Sequence, residues 1–329
     1  MNRVPSAPHE GLAPADERGA PSDGDRFAVM VTVFNGETFL EEQLDTIARQ
    51  TSPHVDIWVS DDGSSDGSRP LLERYAHQWS KGSFRVVDGP AEGFAENFRS
   101  LVTNPAIEAD YFAFCDQDDL WDADKLARAS AWLALGDPSK PRLFGGRTRI
   151  VDARGAVSGF SPLFRKAPSF RNALVQSIAG GNTMVFNRAA RALMATAARR
   201  APFVAHDWWA YQIVTATGGM CRYDPEPAVS YRQHGGNQIG ENDSWGARLR
   251  RIQAMLDGTM VGWNARNVAA LEASAELLTP EAATVLSHFR TMRTGSLPAR
   301  LAAFARSGIY RQTTLGQLGL LAACVLRRL

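Results

Sequence analysis

The run Asp116-Gln117-Asp118-Asp119 concentrates three carboxylates directly after the apolar stretch Tyr111 to Cys115. Carboxylates crowded at the end of a buried strand repel one another, and burying them unpaired is costly, so a cation is their natural partner. Hard Mg²⁺ or Mn²⁺ prefers oxygen ligands and often takes only one or two carboxylates, with phosphate oxygens and water completing the shell. A sugar diphosphate supplies such oxygens. The competing reading is a solvated acidic loop that caps the next helix through Asp122. Placement after a buried strand favours a ligand site.

Three further clusters carry chemistry-bearing side chains. In Ser60–Gly67 (SDDGSSDG), Asp61 and Asp62 can accept hydrogen bonds from a base NH or from ribose hydroxyls, and Gly63 and Gly67 permit sharp turning. An ordinary Asx-turn loop is the plainer alternative. In His206-Asp207-Trp208-Trp209, Asp207 is either a helix N-cap or a general base that takes the proton of an attacking hydroxyl. Its tryptophans suit stacking on a sugar face and suit a core equally. In Arg232-Gln233-His234-Gly235-Gly236-Asn237, His234 can ligate a metal and Arg232 can offset diphosphate charge.

These clusters need a frame. Phe27 to Phe34, Val55 to Ser60 and Tyr111 to Cys115 read as buried strands, with Phe84 to Val87 a further strand. Helical spacing follows each: Leu40-Leu44-Ile47, then Leu71-Leu72-Tyr75, Glu96 to Val102, and Asp124 to Leu135. Alternating strands and helices predict βαβ units and a mostly parallel sheet. Ligands of such sheets bind beyond the carboxyl ends of the strands, which is where Thr32–Glu37, Asp61–Asp66 and Asp116–Asp119 fall. Beyond residue 140 the pattern loosens to one or two strands in Arg142–Val151, a strand over Thr183–Phe186, and helices over Arg188–Ala198 and from His206. Residues 245–329 read as helical, broken at Pro280, Gly295 and Pro298.

Composition bounds the rest. The 329 residues carry a net charge of +1, which gives no global argument for nucleic acid. Cys115, Cys221 and Cys324 are too few and too far apart for a disulfide framework or a CxxC metal pair, and a reducing cytoplasm is the simplest compartment. Residues 1–26, rich in Pro, Gly, Ala and charge, read as a disordered tail without the apolar stretch of a signal peptide. After Glu281 there is no Asp or Glu, while seven arginines and the apolar run Leu315–Leu326 follow. Such a tail either lies peripherally on an anionic membrane face or packs as a helix with solvated arginines.

Taken together, TVFNGETFLEEQLDTIARQT, VSDDGSSDGS, FCDQDDLW, GGNTMVF and HDWW resemble the sequential blocks of glycosyltransferase family 2, inverting enzymes of GT-A fold. The resemblance spans roughly residues 27–240, and DQDDLW, HDWW and YRQHGGN look most like its bacterial rhamnosyltransferase branch, which uses dTDP-L-rhamnose to build surface polysaccharide. It implies a GT-A domain over 27–240, with a nucleotide-binding half (27–135) and an acceptor half (136–240), followed by a helical extension over 241–329. It implies that Thr32, Phe34 and Asp62 contact the nucleoside, with Phe34 in place of the usual tyrosine. Asp61, Gln117 and Arg232 join the expected nucleotide-sugar site. Asp116 is expected near ribose and metal, Asp118 as main metal ligand and His234 as a further one. Asp207 is the expected base, and Gly181, Asn182, His206, Trp208 and Trp209 line the acceptor side. No QxxRW motif follows HDWW, which argues against the processive synthases.

Other readings predict different features. A sugar nucleotidyltransferase needs a Gly-rich, Arg/Lys-bearing loop after the first strand, where Thr32–Glu37 has one glycine and no base. A glycosidase could pair Asp116 with Asp207 but leaves the strand-end features unexplained. A catalytically inactive sugar-binding relative has no need of both Asp118 and Asp207.

Overall fold

A computed structural model of the chain describes residues 24–235 and 259–329. The expected tail falls outside them except for its last three residues, as do Gly236, Asn237 and the first part of the helical extension. β1 (Arg26–Val33), β2 (His54–Asp61), β3 (Phe84–Asp88) and β4 (Tyr111–Cys115) alternate with α1 (Glu37–Ala48), α2 (Ser68–Gln78) and α3 (Phe94–Thr103). β1, β2 and β4 are mostly apolar and β-branched or aromatic because both sheet faces are covered there. Ala28 and Met30 of β1 join Phe98 of α3 on one side. Val29, Val31 and Val33 join Leu40 and Leu44 of α1 on the other.

After β4 come β5 (Leu120–Trp121), α4 (Lys125–Leu133), β6 (Arg142–Gly146), β7 (Arg149–Val151) and β8 (Val157–Phe160). The short helix α5 (Phe170–Ala173), a 3₁₀ turn at Gly181–Thr183, β9 (Val185–Asn187), α6 (Arg188–Ala198), α7 (His206–Ala216), β10 (Met220–Asp224) and β11 (Val229–Arg232) complete this part. The main sheet has seven strands in the order β10-β6-β9-β4-β1-β2-β3. It is parallel except for β9, which is inserted antiparallel between β4 and β6. This is a GT-A fold, as the sequence predicts.

The register positions the site. Val33 pairs with Asp61, Asp61 with Asp88, and Val31 with Cys115. Phe34, Asp62 and Asp116 therefore leave their strands at one carboxyl edge. A second sheet, β5-β11-β7-β8, stands beside that edge. Sequence patterning misses most of it, because β5, β7 and β11 are only two to four residues long and show no alternation.

The described C-terminal residues form α8 (Thr259–Glu272), α9 (Pro280–Thr294), α10 (Leu297–Ser307) and α11 (Thr314–Val325). The expected breaks at Pro280 and Gly295 hold: Pro280 starts α9, whose N-cap is Thr279, and Gly295 ends it. Phe289, Met292, Leu320 and Cys324 share one core with Phe98, Phe186 and Tyr211.

Candidate active site

The acidic loop is built in two layers. Asp119 is fully buried, with one carboxylate oxygen accepting from Asn182 Nδ2 at 2.5 Å and the other from the Arg232 backbone N–H at 3.3 Å. Asp118 points the other way, and its Oδ2 lies 2.8 Å from Nε2 of His234. The His234 ring packs on Phe39 of α1, with centroids 4.6 Å apart.

Asp116 is partly exposed beside them. Burial, then the charges of Asp119, Asp118 and Asp207, hold its carboxyl well above the usual carboxylate range. Burial and the Asp118 charge likewise raise Asp119. Asp207, though 91 positions after Asp116 in sequence, thus shares its electrostatic environment. Asp207 sits in the first turn of α7, where its Oδ1 accepts from the Trp208 N–H at 2.6 Å. Burial raises its carboxyl to about 6.

Positive charge behind the loop comes from a residue that sequence reasoning misses. Lys125 opens α4 with its ammonium buried 3.2 Å from the centroid of the Trp121 ring, a cation–π contact. Burial lowers it to about 7. The sequence signal was faint: a lysine immediately after a helix-starting Asp normally reads as solvated.

Several expected ligand contacts are corrected. Arg232 is almost completely buried. Its guanidinium donates to the backbone carbonyls of Asp118 (3.0 Å) and Ala153 (2.8 Å) and to Glu42 Oε2 (2.5 Å), and lies over Phe39. It is a strut under the acidic loop, not a partner for diphosphate. Gln117 clamps the backbone of Phe34, accepting from its N–H at 2.8 Å and donating to its carbonyl at 3.1 Å. Gly36 lies so close beneath that a Cβ would meet Gln117 Oε1 at 2.6 Å.

Trp208 and Trp209 are core residues. The Trp208 indole donates to the Ala173 carbonyl at 2.6 Å, and Trp209 stacks on Phe203. His206 is buried against Phe98 and Phe114, with centroids 3.7 and 4.8 Å away. Neither of its ring nitrogens finds a hydrogen-bond partner among the described residues, and burial lowers it to about 3, so it is neutral. None of these three faces open space as an acceptor platform would.

The nucleotide-side residues are placed differently. Phe34 follows β1 and is 53% exposed, an unusual position for a large apolar residue and one open to stacking. Thr32 is buried within β1, paired with Ser60. Asp61 is engaged by its own loop, accepting from Ser64 N and Oγ and pairing with Arg69. Asp62 accepts from the N–H groups of Ala91 (2.7 Å) and Gly93 (3.0 Å), fastening the turn that enters α3. Gly181 packs under His206, and Asn182 joins that wall to Asp119.

Residues 28–143 match the model described as glycosyl transferase family 2. It is 27% identical over 231 residues to the dTDP-rhamnosyl transferase RfbG of Shigella flexneri, covering 68% of this chain and 78% of that protein. It is 31% identical over 100 residues to the putative glycosyltransferase EpsH of Bacillus subtilis, covering 30% of this chain and 27% of that one. Among solved structures, S. aureus TarS 1–349 in complex with UDP-GlcNAc superposes with a TM-score of 0.52 at 15% identity, over 86% of this chain and 88% of that one. This last likeness is one of fold.

Proposed function

We propose that this glycosyltransferase moves a sugar from a nucleoside diphosphate onto a hydroxyl of a glycan or lipid-linked glycan, with inversion and with help from Mg²⁺ or Mn²⁺. The observation carrying the proposal is that Asp207 lies near enough to Asp116 for its charge, with those of Asp119 and Asp118, to raise the Asp116 carboxyl. A base and a diphosphate site must share one cleft for in-line displacement.

The side chains fit a divalent ion. Asp118 Oδ2 and His234 Nε2 are in direct hydrogen-bond contact at 2.8 Å, so one carboxylate oxygen and one imidazole nitrogen are near enough to share an ion. Carboxylates that raise one another's proton affinity mark a site short of positive charge. Among the described residues no three His, Cys, Asp or Glu side chains are grouped so as to hold a metal ion by themselves. When bound, such an ion stabilises charge developing on the leaving diphosphate.

The chain's own residues do the rest. The exposed Phe34 side chain stacks on the nucleobase, while the buried Asp62 holds the turn that enters α3. The acceptor oxygen bonds to the anomeric carbon as the carbon–oxygen bond to the diphosphate breaks. Asp207 takes the acceptor proton, and its raised pKa makes it a better base than an ordinary carboxylate. The preferred donor is dTDP-L-rhamnose. Supporting that choice are the DQDDLW, HDWW and YRQHGGN blocks and the similarity to RfbG.

The test is to incubate the protein with a panel of nucleotide sugars, with and without Mn²⁺, and to follow nucleoside diphosphate release. Metal-dependent release of dTDP from dTDP-L-rhamnose is expected. Release from another donor would reassign the sugar, and release from none would remove the activity.

A further inference from the structure

The helices α10 and α11 turn apolar faces to solvent. Leu297 and Leu301 of α10, Leu315, Leu318 and Val325 of α11, and Leu326 just beyond are between 39% and 75% exposed. The spacing of Leu315, Leu318 and Val325 makes one stripe along α11, opposite its buried Leu320, Ala323 and Cys324. α11 contains no charged residue at all. The two helices are joined by the buried Arg300, whose guanidinium donates to the Val325 carbonyl at 3.0 Å, so the faces are held together. Soluble chains rarely leave contiguous apolar surface of this kind without a partner.

Charge identifies that partner. From Ala282 onward the chain has seven arginines and no acidic residue. Arg306 near the end of α10 and Arg328 after α11 are both exposed. Two copies meeting through this face would bring arginines against arginines, whereas an anionic surface attracts them. At 12 residues α11 is about 18 Å long, too short to span a bilayer but well suited to lying in its interface. No described helix is long and apolar enough to cross a membrane.

We propose that the α10–α11 face docks the protein onto an anionic lipid bilayer, with the leucines entering the acyl boundary and Arg306 and Arg328 pairing with lipid headgroups. This surface is separate from the transfer chemistry, so its failure leaves the proposed reaction untouched.

The test is co-sedimentation of the full chain with vesicles of phosphatidylglycerol and phosphatidylcholine, against phosphatidylcholine alone. Binding to the anionic vesicles is expected, with little to the neutral ones. Arg306→Ala combined with Arg328→Ala should lower the partition coefficient on the order of 30-fold, at roughly fivefold per arginine. Leu315→Glu with Leu318→Glu should abolish it while donor hydrolysis in solution is unchanged. Absence of binding to anionic vesicles, or binding that survives the leucine changes, overturns the proposal. So does a dimer in solution that Leu318→Glu dissociates, which would assign the face to a second copy.

Discussion

His234 Nε2 lies 2.8 Å from Asp118 Oδ2, joining the segment after the last strand to the acidic loop 116 residues earlier. If this pair holds a divalent ion, Asp118→Asn and His234→Ala should each weaken Mn²⁺ binding by roughly a hundredfold or more, since even outer-shell changes cost about 10–100-fold. Mn²⁺ titration followed by electron paramagnetic resonance checks this without turnover. Unchanged affinity in both variants would remove the pair from the metal site.

Asp207→Asn should lower transfer by about 10²–10⁴ while leaving donor affinity nearly intact. Calorimetric donor titration separates the two effects, and a large loss of affinity would place Asp207 in the nucleotide site. The base works only when deprotonated. With its carboxyl near 6, kcat/KM should fall as pH drops through about 6, and Asp207→Glu should shift that midpoint.

Arg232→Lys keeps the charge but loses the planar fork that reaches Asp118 O, Ala153 O and Glu42 together. Loss of two buried hydrogen bonds should destabilise the fold by about 2–3 kcal/mol. Thermal denaturation should show it, with Mn²⁺ affinity falling in parallel. Weakened nucleotide binding without destabilisation would instead restore Arg232 as a diphosphate contact.

His206 and Gly181 form a tight pair: a Cβ at residue 181 would meet Nε2 of His206 at 1.9 Å. Gly181→Ala should therefore cost about 1–3 kcal/mol by overpacking. His206 titrates near 3 in the folded state and near 6.5 unfolded, so the unfolded chain binds more protons between those values. Its contribution to stability is present above 6.5 and is lost as pH falls towards 3. His206→Phe should flatten that acid arm in denaturant melts, and an unaltered arm would refute the assignment.

How much was legible in advance depends on the range of the interaction. Phe27–Phe34, Val55–Ser60 and Tyr111–Cys115 announce themselves because strands covered on both faces are mostly apolar, and the polar clusters that follow must then lie at the sheet edge. His234 lies against Asp118, and the Asp207 charge acts on Asp116, both across spans of sequence that no local pattern bridges. Arg232 was misjudged because its counter-ion, Glu42, lies 190 residues away, and no local pattern marks a guanidinium as buried. The HDWW tryptophans were ambiguous for a related reason: the aromatic character that suits a sugar also suits a core, and only packing against Ala173 and Phe203 decides.

The buried Asp119 sets a requirement on synthesis order. Among the described residues its two oxygens accept from Asn182 and from the Arg232 amide, both contributed after the segment that matches the family model ends at residue 143. A nascent chain that has emerged only that far holds an uncompensated carboxylate where its tightest packing should be. The carboxyl edge of the sheet that carries Asp119 therefore gains these partners only once β11 has been made, and a fragment trimmed to the family segment would carry the acidic motif without them.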